Sequence, residues 1–225
     1  MKYKLLLIIL ILCSAVFRIY YIEWGPLDLA PDEAQYWEWS RRLDLSYYSK
    51  GPAIAYIIAF FTAIFGNSEL GLRMGAIIIS SFLTLLAYMF ANRLFNNERT
   101  AFFAALVPNL TPLFAAGSIL MTTDSPLLLF WGLSIYTFYL AMERKKMRYW
   151  FITGIFIGLG LLSKYTMALI YPSIFLFLLF SEKDRWWLWR KGPYLTLVVS
   201  LLLTAPIILW NFQNDWVSFR HVLGQ

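Results

Sequence analysis

Long apolar runs recur along this chain and constrain its fold more than any other feature. A helix needs roughly 17 to 25 apolar residues to cross a hydrocarbon core of about 30 Å. Hydrophobic residues make up 60% of the 225 residues and charged residues only 14%. The sequence therefore predicts an all-α integral membrane protein. The runs long enough to span are Leu5 to Ile22, Leu72 to Asn92, Thr100 to Ser118, Pro126 to Met142, Tyr149 to Phe180 and Pro193 to Trp210.

The run from Tyr149 to Phe180 is too long for one helix and contains Lys164, so we predict that it divides at Ser163 and Lys164 into two helices. This division gives about seven spanning helices. The first run begins with basic residues, as a signal peptide does, but no small-residue cleavage pattern interrupts it. We therefore expect a retained helix.

Basic clusters between the runs predict the orientation of the helices, because Lys and Arg accumulate on the cytoplasmic side. All clusters fall on that side if residues 52–66, about 22 Å as a helix, lie along the outer interface instead of crossing. The first outer loop is then 23–51, and it holds six of the thirteen acidic residues. The net charge of +6 thus indicates membrane topology, not nucleic-acid binding. The clusters are Lys2 and Lys4; Arg93 and Arg99; Arg144, Lys145, Lys146 and Arg148; and Lys183, Arg185, Arg190 and Lys191.

The stretch "PDEAQYWEWS" in that first loop places two acids beside aromatic residues. Pro31 or Asp32 is expected to begin a short helix with Asp32 and Glu33 at its positive end. Two interpretations stand: the acids cap the helix, or they serve chemistry at the membrane edge. Likewise Tyr36 belongs either to an interfacial aromatic belt or to a floor for sugar rings or lipid headgroups.

Two lysines are candidates for binding a phosphate on the same face. Lys50 precedes the interfacial segment, where a lysine either snorkels or binds a lipid phosphate. Lys164 interrupts an apolar run, and a lysine within a membrane segment is a functional hypothesis by default. Arg73 and His221 would add positive charge there. A lone histidine needs Asp or Glu partners to bind a metal.

The stretch "MTTDSPLLLFW" supplies a further acid, Asp124, at the expected outer end of a helix. Thr123 or Asp124 is a plausible N-cap, and Asp124 is also a candidate for a second role on that face. The sequence contains no P-loop, GxGxxG, GxSxG or HExxH motif, so nucleotide-dependent and common hydrolase mechanisms have no support.

Five motifs in order give the chain its resemblance to a known family: "PDEAQYW", "YYSKGPAIAYI", "TTDSPLLLFW", "GLGLLSKYT" and "PIILWNFQNDWVSFR". Together they resemble the C-type (GT-C) glycosyltransferases that use lipid-phosphate sugars, in the branch of the protein O-mannosyltransferases and the lipid A aminoarabinose transferase. The resemblance implies a seven-helix core with two juxtamembrane helices in the first outer loop. Gly51 stands where relatives often carry a second proline, which predicts a looser turn after Lys50.

The resemblance also implies roles for residues. Asp32 is expected to be the catalytic base that takes the proton of an acceptor hydroxyl. Glu33 and Asp124 would shape the acceptor site or a metal site, and Lys50 and Lys164 would hold the donor phosphate. A carboxylate opposite two lysines suits this transfer, because a polyprenyl-phosphate sugar already carries a good leaving group.

The expected activity is therefore transfer of a sugar from a polyprenyl-phosphate donor to a lipid, glycan or protein hydroxyl, at the extracytoplasmic face of the inner (plasma) membrane. The alternatives are a non-catalytic lipid-binding or transport protein and a scaffold half that needs a partner chain. No cofactor is certain; a divalent metal, with Glu33, Asp124 and His221 as candidate ligands, is left open. Residues 1–225 are expected to form one module that lacks the C-terminal part of longer relatives.

Overall fold

The computed structural model describes residues 2–224, apart from the side chains of Val222 and Leu223. Its regular elements within that range are helices. Short 3-10 helices cover Tyr165–Leu169 and Arg185–Trp189. The α-helices are α1 Lys2–Trp24, α2 Pro31–Ser40, α3 Ala53–Phe65, α4 Glu69–Phe95, α5 Glu98–Leu110, α6 Pro112–Gly117, α7 Asp124–Arg144, α8 Met147–Ser163, α9 Ile170–Phe180, α10 Lys191–Leu203, α11 Ala205–Gln213 and α12 Val217–Leu223.

Helices lie at every position where the sequence predicts a span. Three of them, α1, α4 and α7, are long and apolar enough to cross a membrane, and α10 with α11 forms a fourth candidate bent by 41°. The predicted third span is broken into α5 and α6, because Pro112 has no N–H to continue the helical ladder. The long apolar run divides at Lys164, as predicted: α8 ends at Ser163.

The chain divides into two compact units. Unit 1 consists of Met1–Leu43 and Ile54–Leu129, and unit 2 consists of Asp44–Ala53 and Phe130–Gln225. The prediction that residues 1–225 form a single module stays a prediction.

Unit 1 packs α1, α4 and α5 against one another. The turn between α4 and α5 follows from two asparagines: Asn96 takes the left-handed conformation that ends α4, and the Asn97 side chain accepts hydrogen bonds from two backbone N–H groups of α5. Helix α3 occupies the residues predicted for an interfacial helix. It buries Ile54 and Ile58 in a core with Tyr36, while Phe60 and Ile64 are exposed.

A buried arginine in α1 joins the three packed helices of unit 1. The Arg18 guanidinium donates to the Ser80 hydroxyl of α4 (2.9 Å) and to the Asn109 side-chain carbonyl of α5 (2.8 Å). The Asn109 amide in turn donates to Thr84 Oγ1 at 3.0 Å. An unpaired polar group would be costly in an apolar interior, so this network fixes how the helices meet.

Unit 2 is built on the contact between α8 and α10. Small residues on α8 allow close approach: a Cβ at Gly154 would lie 2.8 Å from the Thr196 carbonyl oxygen, and one at Gly158 would lie 2.6 Å from Leu203 Cβ. Such spacing of glycines four residues apart is typical of tightly packed membrane helices. The Thr196 hydroxyl also donates to the Trp150 carbonyl at 2.7 Å.

Candidate active site

The short helix α2 presents the acid pair at its first turn. It begins at Pro31, one of the two predicted starts, and proline is favoured there because the first helical N–H needs no partner. The Glu33 carboxylate reaches back to accept a hydrogen bond from the Ala30 N–H at 3.1 Å. This bond satisfies one of the unpaired donors at the helix start.

Glu33 forms a buried ion pair with Arg73 of α4, and both side chains are 0% exposed. The pair is bidentate: Arg73 Nε donates to Glu33 Oε1 at 3.0 Å and Nη2 donates to Oε2 at 2.8 Å. The Met121 N–H also donates to Glu33 Oε1 at 2.9 Å. With the bond from Ala30, each carboxylate oxygen therefore accepts two hydrogen bonds.

Arg73 uses its remaining donors on the chain that leads into α2. Its Nη1 donates to the Leu27 carbonyl (3.1 Å) and to Glu69 Oε2 (3.2 Å), and its Nη2 donates to the Asp28 carbonyl (2.9 Å). Because a guanidinium has five N–H donors, none is left for a ligand.

The structure gives Glu33 and Arg73, as a pair, a structural role that the sequence did not predict, and their substrate-binding roles stay predictions. Both side chains are inaccessible, and their hydrogen-bonding capacity is spent on each other and on backbone groups. They hold α2, the segment before it and the chain at Met121 in fixed positions. Glu33 caps the start of α2, as one of the two interpretations predicted, and it also binds Arg73 and the Met121 N–H.

Asp32 and Asp124 remain exposed, and both lie near the phenol of Tyr36. Tyr36 is 2% exposed. Burial raises the pKa of Tyr36 to about 12, the negative charges of Asp32 and Asp124 add to this increase, and a hydrogen bond with Thr123 opposes it. Helix α7 begins at Asp124, which leaves Thr123 at the preceding, cap position, as predicted. Unit 1 thus brings three predicted site residues, Asp32, Tyr36 and Asp124, together.

Unit 2 brings the two lysines into one neighbourhood. A Cβ on Gly51, the residue after Lys50, would lie 2.0 Å from the carbonyl oxygen of Leu162, two residues before Lys164. Lys164 itself has an extended backbone at the end of α8, and its N–H donates to the Gly160 carbonyl. Gly51 is therefore required by close backbone contact, whereas the sequence predicted only a looser turn there.

His221 lies in α12 of unit 2, with its ring centroid 5.3 Å from that of Tyr48. The sequence left open a divalent metal with Glu33, Asp124 and His221 as candidate ligands. Among residues 2–224, no three His, Cys, Asp or Glu side chains form a group that could hold a metal ion. Glu33 in particular is already fully engaged by N–H donors. A divalent metal held by Asp124 or His221 stays a prediction.

Some organising contacts were missed by the sequence analysis. In unit 2 the indole N–H of Trp210 donates to Asp44 at 2.8 Å, and the Ser218 hydroxyl donates to the Tyr47 carbonyl at 3.2 Å. These residues are far apart in sequence and follow no periodic pattern. Arg18 did carry a signal, because an arginine inside an apolar run is conspicuous.

Comparison with solved structures defines the class of protein first. The chain has the fold of "ArnT from Cupriavidus metallidurans in the apo state", with a TM-score of 0.79 and 18% identity over 97% of this chain and 44% of that chain. It also has the fold of the Saccharomyces cerevisiae protein O-mannosyltransferase Pmt1-Pmt2 complex bound to the sugar donor (TM-score 0.70, 20% identity, 97% of this chain and 34% of that chain). The predicted all-α, C-type fold is confirmed.

The chain belongs to the dolichyl-phosphate-mannose-protein mannosyltransferase family, whose sequence profile matches residues 49–210. Among curated relatives, the lipid A galacturonosyltransferase RgtD of Rhizobium johnstonii is 27% identical over 95% of this chain and 45% of its own length. An undecaprenyl phosphate-alpha-4-amino-4-deoxy-L-arabinose arabinosyl transferase of Erwinia tasmaniensis is 29% identical over 87% of this chain and 39% of its own length. The chain thus spans less than half the length of these relatives.

Proposed function

We propose that this chain transfers a sugar from a polyprenyl-phosphate donor to a hydroxyl of a lipid, glycan or protein acceptor, at the extracytoplasmic face of the inner (plasma) membrane. Family membership supports the reaction class. The names of the curated relatives, which include an undecaprenyl-phosphate sugar donor and lipid A, support the donor and a lipid acceptor. The observation that carries the proposal is the exposed carboxylate of Asp32, held on a helix that the buried Glu33–Arg73 pair anchors.

Asp32 acts as the general base in this proposal. It accepts the proton of the acceptor hydroxyl as the oxygen attacks the anomeric carbon and the bond to the donor phosphate breaks. Positioned proton transfer of this kind contributes about 10²- to 10⁴-fold to a rate. In-line attack inverts the anomeric configuration relative to the donor.

Tyr36 and Asp124 shape the acceptor side of the site. The Tyr36 phenol is neutral at physiological pH, as it would be at its ordinary pKa of about 10, and the shift to about 12 only extends that range. The exposed carboxylates of Asp32 and Asp124 suit the hydroxyl donors of a sugar or headgroup, and the buried Tyr36, 2% exposed, supports the surface on which they lie.

In unit 2, Lys50 and Lys164 bind the donor phosphate and stabilise the charge that the leaving phosphate gains. Both lysines are partly exposed. Their shared neighbourhood is fixed by the contact between Gly51 and Leu162. His221 remains a proposed contributor on the same unit.

The test of the base is Asp32→Asn in purified, reconstituted protein, assayed with undecaprenyl-phosphate 4-amino-4-deoxy-L-arabinose and lipid A. We expect transfer to fall at least about 10²-fold with donor binding retained. Glu38→Gln is the matched control, because Glu38 is an exposed acid on the same helix. Full transfer by Asp32→Asn would rule out Asp32 as the base. Absence of transfer by the wild type with this and other sugar donors, with donor binding intact, would favour the non-catalytic lipid-binding alternative.

The test of the phosphate contact is donor affinity in Lys50→Ala and Lys164→Ala. Each variant loses a charge-assisted hydrogen bond of about 1.5–3 kcal/mol, so we expect roughly 10- to 100-fold weaker binding. Lys183→Ala serves as a control, since Lys183 is an exposed lysine of the same unit in a different basic cluster. Unchanged affinity in both test variants would exclude the lysine pair.

A further inference from the structure

A cavity of about 430 Å³ lies within unit 2, between α8, α9, α10 and the 3-10 helix Arg185–Trp189. Its lining is almost entirely apolar and aromatic, including Trp150, Phe175, Leu178, Trp189 and Leu197. Its volume falls within the range of about 300–1,000 Å³ typical of small-molecule sites. Trp189 at its rim is 90% exposed, an unusual state for so large an apolar side chain unless it faces lipid or a ligand.

Two buried hydrogen-bond donors beside this cavity lack acceptors. The indole N–H groups of Trp150 and Trp187 are buried and have no partner among the described residues. Trp150 lines the cavity and is 0% exposed, and its ring centroid lies 5.0 Å from that of Trp187. A buried N–H without an acceptor costs about 1–3 kcal/mol, so an acceptor oxygen on a ligand would be stabilising here.

Positive charge collects at the same end of the unit. Arg190 and Lys145 are both exposed, and their cationic groups lie 5.4 Å and 5.7 Å from the ring centroid of Trp186. The ring centroid of Trp186 lies 4.3 Å from that of Trp187, and Trp187 in turn lies 5.0 Å from Trp150, so the cations are one ring away from the Trp187 indole and two rings away from that of Trp150. Segments 143–148 and 182–191 contain eight basic and three acidic residues. Two cations at one ring repel each other and favour an anion between them.

We propose that this cavity is a binding site for an anionic phospholipid. An acyl chain fills the apolar cavity, the Trp150 N–H donates to an ester or phosphate oxygen, and Arg190 and Lys145 bind the headgroup phosphate. The apolar lining fits the chain, the unpartnered donor fits an oxygen near the glycerol, and the basic cluster fits the negative charge. This inference is independent of the proposed transferase activity and uses none of its residues.

The experiment uses the full chain, purified in detergent, delipidated and offered equal amounts of phosphatidylglycerol and phosphatidylcholine. Bound lipids are counted by native mass spectrometry after a detergent wash. Wild type should retain phosphatidylglycerol in preference to phosphatidylcholine. Arg190→Gln should reduce phosphatidylglycerol retention about fivefold, since an Arg near anionic lipid contributes about 1 kcal/mol. Arg99→Gln is the matched control, because Arg99 is an exposed arginine over an aromatic ring in unit 1.

Two further variants test the cavity and the indole. Leu197→Trp fills the cavity and should lower retention, whereas Leu201→Trp, on the same helix but outside the cavity lining, should leave it unchanged. Trp150→Phe removes the N–H but keeps only one aromatic ring of the indole, so its loss of retention should be at least the roughly fivefold expected for one net hydrogen bond.

Equal retention of the two lipids by wild type would overturn the proposal, as would equal effects of Arg190→Gln and Arg99→Gln. A competition with undecaprenyl phosphate gives a further test. If an equal amount of undecaprenyl phosphate displaces phosphatidylglycerol from the wild type, and the Arg190 variant does not bind undecaprenyl phosphate, the occupant is the lipid carrier and the proposal is overturned. Each variant is checked by thermal unfolding, so that loss of the fold is not mistaken for loss of the site.

Discussion

Replacing Glu33 with glutamine tests whether the buried ion pair is structural or catalytic. The change is nearly isosteric, but it turns one acceptor oxygen into an NH₂ donor. That donor would face a guanidinium N–H of Arg73 and the N–H of either Met121 or Ala30, all at 2.8–3.1 Å from the present carboxylate oxygens. Arg73 would keep only Glu69, which is 41% exposed, as a charged partner. Breaking a buried pair from one side costs about 3–5 kcal/mol.

This cost is a large fraction of the 5–15 kcal/mol by which typical folded domains are stable. For a chain of this size it corresponds to a fall in unfolding temperature on the order of 10 °C. The assay is thermal unfolding of the purified protein in one detergent, for Glu33→Gln, Asp32→Asn and Glu38→Gln. We expect the first variant to unfold well below the other two, because the Asp32 and Glu38 side chains are exposed.

A wild-type unfolding temperature for Glu33→Gln, together with transfer as low as in Asp32→Asn, would refute the structural role and return Glu33 to the chemistry.

Three further predictions concern other contacts. Gly51→Ala introduces a Cβ 2.0 Å from the Leu162 carbonyl oxygen. We expect weaker donor binding and a free energy of unfolding that is lower by about 1–3 kcal/mol. Gly117→Ala is the control for both measurements, because a Cβ there meets nothing within 4 Å. Asn109→Leu leaves the buried guanidinium of α1 without its amide partner, and the unfolding temperature should fall by the equivalent of about 1–3 kcal/mol. The pKa of Tyr36 rises from 10 to about 12 on folding. The stability that this shift contributes is therefore complete below about pH 10 and is lost as the pH rises towards about 12. Tyr36→Phe should remove this fall in stability between about pH 10 and 12 when unfolding is measured as a function of pH.

The helical architecture is largely predictable from the sequence, because apolar length and basic clusters report directly on membrane helices. The division at Lys164 and the start of α2 at Pro31 also follow from local chemistry. The break within the predicted third span was signalled by Pro112 but was not predicted. Pro108 lies inside α5 without ending it, whereas Pro112 begins a new helix, and apolar length alone does not distinguish the two cases.

Long-range packing accounts for what the sequence did not predict. Gly51 and Leu162 are neighbours through close backbone approach, and no spacing rule connects positions so far apart. The same holds for the hydrogen bond between Trp210 and Asp44. A resemblance between motifs indicates which residue types recur at a position. It does not indicate that the carbonyl oxygen of Leu162, on another helix, leaves room only for a glycine at position 51.

The adjacent acids of α2 show where a periodicity argument would have gone further. Neighbouring helical residues point about 100° apart, so when one side of a short helix is buried, two adjacent acids rarely share an environment. The buried residues of α2 are Glu33, Tyr36 and Ser40, which follow helical spacing, and Asp32 lies off that stripe. Of the three aromatic residues of the helix, Tyr36 is buried and Trp37 and Trp39 are partly buried, and Glu33 lies three positions before Tyr36. The two adjacent acids therefore differ in role: Glu33 fixes the helix through Arg73, and this anchoring holds the exposed carboxylate of Asp32, the base of the proposed reaction.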